Sequence, residues 1–284
     1  MPQPAEEPFG ERVRAAIGRT GPLCVGVDPS PAMLARFGLA DGVEGVRAFG
    51  EACVTALQGV VAALKPQVAF FERHGAAGMS AYEALVAAGR EAGLLVIADA
   101  KRGDVGSTTE AYADAWFRGP LAADAVTATP YVGAGALTPM VEGARATRRG
   151  LIVLATSSNP EGSALQRARM PDGTTVEGSI LASIARWNAE ELGEGARGRL
   201  GSVGAVVGAT GGDPPEGLGR LAGVVLSPGI GAQGATVADV ARRFDDCAPG
   251  SVLPAVSREL LRRGPRGLRD AASRLRDELA AALG

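Results

Sequence analysis

Leu94-Leu95-Val96-Ile97-Ala98-Asp99-Ala100-Lys101-Arg102-Gly103-Asp104 is the stretch from which the fold can be read. A short apolar run ends on an aspartate with a lysine two positions on, and Gly103 then lets the chain turn. Ser107-Thr108-Thr109-Glu110 follows with capping-box spacing, which predicts that the next helix starts there. This is one strand feeding one helix. The same unit recurs along the chain. Strands are expected at Leu23–Asp28, Lys65–Phe71, Leu94–Asp99, Ala125–Pro130, Gly150–Thr156, Val203–Ala209, Val224–Ser227 and Val252–Ser257. Between them, helices are expected at Val43–Ala62, Ala76–Ala92, Glu110–Phe117, Ala134–Ala144, Glu177–Leu192, Pro215–Leu221 and Thr236–Phe244, with a terminal helix at Leu268–Leu283.

Eight βα units over about 250 residues is the size of a closed (β/α)8 TIM barrel, so residues 1–284 are read as a single barrel domain. A doubly wound open sheet has the same periodicity and remains an alternative at this point. Polar residues gather at the C-terminal ends of the expected strands: Asp28, Asp99 with Lys101, Thr129, Ser157 with Ser158, and Ser257 with Arg258. In a barrel those ends converge on the rim where active sites are built. Gly211–Gly217 is read as a loop between units rather than a linker.

Composition narrows the function classes. The chain has 284 residues, 46% of them hydrophobic, and a formal charge of −2, which fits a large buried core and offers no basic surface for nucleic acid. No apolar run approaches a membrane span, and Met1–Glu11 is acidic and Pro-rich without the apolar core of a signal peptide. Cys24, Cys53 and Cys247 are far apart and read as reduced, mostly buried thiols of a cytoplasmic protein. His74 is the only histidine, so a histidine metal centre or a Ser-His-Asp triad is hard to assemble.

The basic residues are unevenly chosen. Of 29 basic positions only Lys65 and Lys101 are lysine. Arginine is in effect never deprotonated, whereas a lysine ammonium can deliver its proton, so these two positions call for chemistry that Arg cannot perform. Strand alternation is expected to point Asp99 and Lys101 into one pocket. Asp104 falls in the following loop, free to reach across the site or into a partner subunit, and Lys65 opens the preceding strand run. The four residues read as Lys, Asp, Lys, Asp. Alternating charges can satisfy one another as a plain ion-pair network, and a D-x-K-x-x-D string alone favours that reading. Its coincidence with the only two lysines, on a chain of eight βα units, favours stabilisation and protonation of a carbanion.

These segments resemble the orotidine 5′-monophosphate decarboxylase family. The likeness rests on Val25-Gly26-Val27-Asp28-Pro29, Lys65-Pro66-Gln67, Asp99 through Thr108, Thr129-Pro130-Tyr131, Ser157-Ser158-Asn159-Pro160 and Pro228 through Gly234, in the family's order and spacing. Asn-Pro after the fifth strand is similar to the larger bacterial enzymes of the family. The resemblance implies that Lys65, Asp99, Lys101 and Asp104 form the catalytic array, with Asp104 supplied by the second subunit of a homodimer and Lys101 protonating C6. It implies that Asp28 and Lys65 bind the ribose hydroxyls, helped by Thr108 from across the interface. Ser158 would read the pyrimidine edge, and Gln233 and Arg258 would hold the phosphate. No metal and no organic cofactor is implied. Thr129 departs from the family, which usually has Asn before Pro-Tyr.

Gly229-Ile230-Gly231-Ala232-Gln233-Gly234 also matches a dinucleotide fingerprint. That element belongs in the first βα unit with an acidic residue about 20 positions on. Here it follows the seventh strand, and the next strand ends in Ser257-Arg258, so a phosphate-binding loop is expected instead. Two competitors remain: a Mg²⁺-dependent sugar-phosphate lyase sharing D-x-K-x-x-D, disfavoured by Lys65, and a catalytically silent nucleotide-binding barrel, disfavoured by the complete array.

Overall fold

The structure, a computed structural model, describes residues 7–194, 197–211 and 213–284. Most of the acidic Met1–Glu11 stretch and Gly212 of the Gly211–Gly217 loop lie outside the described residues. Eight parallel strands close on themselves in sequence order: β1 Cys24–Val27, β2 Ala63–Pro66, β3 Leu95–Arg102, β4 Ala125–Ala128, β5 Gly150–Leu154, β6 Val203–Val206, β7 Val225–Pro228 and β8 Val252–Val256. Pairing of β1 with β8, Cys24 opposite Ala255, completes the barrel and removes the open-sheet alternative.

Apolar runs make these strands because both faces are covered. One face packs into the barrel, where Cys24, Leu95, Ile97, Ile152 and Leu226 are buried together. The other packs under the helices, where Leu64, Val96, Val126 and Leu151 meet Tyr82, Phe117 and Met140. The bottom of the barrel is closed by the helix Phe9–Thr20, which the sequence reading did not anticipate. Phe9, Val13 and Ala16 recur at helical spacing and enter the interior cluster. Gly150 is needed there: a Cβ would collide with the Phe9 ring.

Four expectations need correction. The second strand is Ala63–Pro66, so Lys65 lies inside it rather than opening it. Pro66 has no N–H for a further ladder bond, and Val68 and Phe71, three apart and both buried, belong instead to the turn leading through the short helix Ala69–Glu72. The first long helix stops at Leu57, leaving Val60–Ala62 as a buried lead into β2. Ser107 does not cap the next helix: Gly106–Phe117 begins one residue earlier behind Val105, with no side-chain cap. Pro215–Leu221 supplies only the 3-10 turn Leu218–Arg220, in keeping with its proline and two glycines.

Candidate active site

β3 is irregular where the charged residues sit. Ala98 pairs with Val126 and Arg102 with Ala128, so β3 spends more residues than β4 over the same length of ladder. Lys101 lies in this bulge with φ of 49°, a left-handed conformation rare for a residue with a side chain. The bulge, rather than plain alternation, brings Lys101 back over Asp99.

Bulging takes the N–H groups of Ala100 and Lys101 out of regular pairing. Both donate to Thr127 Oγ1 on β4, each at 3.0 Å. The Thr127 hydroxyl then donates to Asp99 Oδ1, also at 3.0 Å. Thr127 is 1% exposed, and its bonds to Ala100 and Asp99 are shielded from water while that to Lys101 is part-buried. A single hydroxyl thereby joins the strained backbone to the carboxylate.

Asp99 is the hub. Lys65 Nζ lies 2.7 Å from Oδ2 and Lys101 Nζ 2.5 Å from Oδ1. Gln67 Nε2 donates to Oδ2 at 3.3 Å. Burial alone would raise the carboxyl's pKa; Lys65 and Lys101 outweigh it and hold the group well below the usual carboxylate range. For Lys65 burial works toward the neutral form, yet Asp99 and Asp28 outweigh it and the ammonium is raised above its ordinary value. The two lysines differ in exposure: Lys65's side chain is 12% exposed and Lys101's 44%. One ammonium is fixed beneath the rim while the other faces the opening.

Asp28 follows β1 and accepts a hydrogen bond of 2.5 Å from Ser257 Oγ, past the end of β8. Its Oδ1 is buried and has no hydrogen-bond partner among the described residues. Gly26 is required below it, since a Cβ there would come within 2.6 Å of Ser257 Cβ. Asp104 does not close on the other three within the chain; its carboxylate accepts from the Val105 N–H at 2.8 Å. Thr108 is exposed in the first turn of Gly106–Phe117. Ser158 is half-buried after β5 and lines a cavity of about 470 Å³ with Thr156, Asn159 and Arg167. Gln233 lines a neighbouring cavity of about 510 Å³ in the glycine loop after β7, and Arg258, exposed, starts the turn after β8. The structure therefore joins Lys65, Asp99 and Lys101 directly and sets Asp28, Ser158, Gln233 and Arg258 at strand ends of the same rim.

Thr127 was missed by sequence reasoning. It reads as one more interior residue of Ala125–Pro130, and only its parity with Ala125 and Thr129 marks it as sharing their face.

The family described as orotidine 5′-phosphate decarboxylase / HUMPS matches residues 21–271. The chain belongs to this family. Two proteins named orotidine 5′-phosphate decarboxylase, from Salinispora arenicola and Streptomyces coelicolor, are each 49% identical over 281 residues, 98% of this chain and 99% of theirs. A crystal structure of a Streptomyces avermitilis protein assigned the same name superposes with a TM-score of 0.89 at 49% identity, covering 98% of this chain and 96% of that one. The Leishmania donovani OMP decarboxylase structure is 31% identical, with a TM-score of 0.74 and coverage of 97% and 98%.

Proposed function

We infer that the chain decarboxylates orotidine 5′-phosphate to uridine 5′-phosphate and CO2, the carboxy-lyase step of pyrimidine biosynthesis. The observation that carries the mechanism is the hub: one carboxylate held ionised between two ammonium groups, with the more exposed ammonium toward the opening. Substrate would place its C6 carboxylate near Asp99. Two like charges about 4 Å apart repel by about 4 kcal/mol at an effective dielectric near 20. Enzymes commonly lower barriers by roughly 8–23 kcal/mol, so most of the effect must come from elsewhere. Lys101, preorganised beside the carbon losing CO2, stabilises the developing carbanion and then donates its proton to C6. Asp28 and Lys65 hold the ribose hydroxyls, Ser158 the pyrimidine edge, and Gln233 with Arg258 the phosphate. Ammonium groups supply both the charge and the proton, so this reading involves no metal and no organic cofactor.

The active unit in this reading is a homodimer of single-domain chains, with Asp104 and Thr108 entering the partner's site. Asp104, which accepts from the Val105 N–H and forms no ion pair with Lys65 or Lys101 among the described residues, supports it. So do the exposed apolar residues on the same rim, Val105 at 55%, Tyr131 at 80% and Val132 at 47%. No helix among the described residues is long and apolar enough to cross a membrane, and the proposed setting is the cytoplasm. The test is product analysis. Orotidine 5′-phosphate should yield uridine 5′-phosphate and CO2 in equal amounts, whereas turnover of a hexulose phosphate only with added Mg²⁺ would support the lyase alternative.

A further inference from the structure

At the opposite end of the barrel, below the start of β3, β4 and β5, lies a cavity of about 620 Å³. Among the described residues, Arg12, Arg19, Arg90, Arg148 and Arg149 line it, against two acidic residues, Glu7 and Asp124. The chain as a whole is slightly acidic, so the positive excess is local.

The inner groups are fixed in place. Asp124, 5% exposed, receives Arg12 Nη2 at 2.5 Å and the Val96 N–H at 3.0 Å, with Arg90 Nε 3.7 Å away. Arg12, Arg90 and Arg149 also bond neutral oxygens. Arg12 Nη1 donates to the Arg148 carbonyl at 3.0 Å, Arg90 Nη2 to Ala122 at 2.9 Å, and Arg149 to Phe117 at 3.0 Å and to Ala123. Carbonyls orient a guanidinium without cancelling its charge. A guanidinium carries five N–H donors, and these bonds occupy one or two on each of Arg12, Arg90 and Arg149.

Two further observations agree. Arg148 ends the helix Thr138–Thr147 in a left-handed conformation, φ 57°, where glycine is favoured. A side chain kept at such a position points to a use for it. Burial, and then repulsion from Arg90 and Arg12, push the Arg149 guanidinium below its ordinary value, with Asp124 only partly opposing.

We propose that this cavity is a binding site for a polyphosphate-bearing anion, separate from the catalytic rim. Several planar forks around one space suit phosphoryl oxygens, each able to take a bidentate pair. The volume lies within the roughly 300–1,000 Å³ of small-molecule sites and exceeds the needs of a single phosphate. A concave pocket, rather than a basic stripe, selects a small anion over nucleic acid.

The probe is pyrophosphate, titrated calorimetrically into full-length protein held in saturating uridine 5′-phosphate so that the rim's phosphate site is filled. ATP serves as a second arm, separating a nucleotide ligand from the free anion. One additional site is expected, weakened at least tenfold in the double variant Arg19→Ala/Arg148→Ala, whose two exposed side chains lie outside the catalytic machinery, and weakened by added salt. The turnover number of the double variant should match wild type. Absence of binding to the nucleotide-loaded protein at millimolar pyrophosphate and millimolar ATP overturns the proposal, as does equal affinity in the double variant. If the protein failed to bind uridine 5′-phosphate, only the proposed function would fall, because the paired variants still report on the lower cavity.

Discussion

Replacing Thr127 by Val keeps the shape of the side chain and deletes the hydroxyl that ties the β3 bulge to Asp99. Three hydrogen bonds of 3.0 Å are lost together. Two of them leave the amides of Ala100 and Lys101 without an acceptor, at about 1–3 kcal/mol for a buried amide and less for the part-buried one at Lys101. The expected loss of stability is on the order of 2–5 kcal/mol, or roughly 5–15 °C in the unfolding midpoint for a chain of this size. The third bond goes to an ionised carboxylate and is worth about 1.5–3 kcal/mol. If Asp99 then tilts away from Lys101, kcat falls by about 10- to 150-fold, while KM, which the proposed phosphate and ribose contacts would set, changes less. Thr127→Ser restores the hydroxyl and should return kcat to within about fivefold of wild type. Steady-state decarboxylation with a thermal melt on the same preparations checks both numbers. A Thr127→Val protein with wild-type kcat and midpoint would refute the reasoning, because the bulge would then hold Lys101 unaided.

Lys101→Arg keeps the charge but replaces an ammonium that can give up its proton, so kcat is expected to fall by at least the 10²–10⁴-fold typical of general acid catalysis; substantial turnover in a steady-state assay would remove Lys101 as the donor. Asp99's lowered pKa means that its contribution to stability is present above about pH 4 and is lost as pH falls toward the folded-state value. Thermal melts between pH 6 and pH 3 should therefore show wild type losing more stability than Asp99→Asn. Lys65, raised by Asp99 and Asp28 against burial, has the opposite sign: its contribution is present below about pH 10.4 and lost as pH rises through the folded-state value. Equal mixtures of Asp104→Ala and Lys101→Ala chains, each inactive alone, should recover about a quarter of wild-type activity per chain, since half the dimers are hybrids with one intact site in two; no recovery after confirmed subunit exchange would contradict the shared site.

The eight strands were legible because each is a short apolar run, and their buried faces in the structure explain why no alternation shows in Leu94–Ala98 or Gly150–Leu154. Lys65, Asp99 and Lys101 were legible from lysine scarcity and from their setting, and the structure brings them into contact. How Lys101 reaches Asp99 was not. The left-handed turn at Lys101 depends on unequal spacing of β3 against β4, a relation between strands that no local pattern encodes. Thr127 escaped for the same reason, since its importance comes from the amides that the bulge releases. The helix Phe9–Thr20 has readable spacing, but its role depends on a barrel floor made by residues more than a hundred positions away, such as Gly150 and Gly201. The second strand was misplaced because Val68 and Phe71 are as apolar as Val60–Leu64, and only Pro66 separates strand from turn.

Ultraviolet absorbance of orotidine 5′-phosphate, followed with chelator-treated wild-type protein beside Lys101→Ala protein, tests the central claim most directly. Calorimetric binding of uridine 5′-phosphate to both verifies that the variant is folded and its site intact. The expected result is loss of the substrate band with wild type alone, while the variant binds nucleotide and leaves the band unchanged. An unchanged band with wild type, or equal loss with Lys101→Ala, would contradict decarboxylation by proton delivery from Lys101.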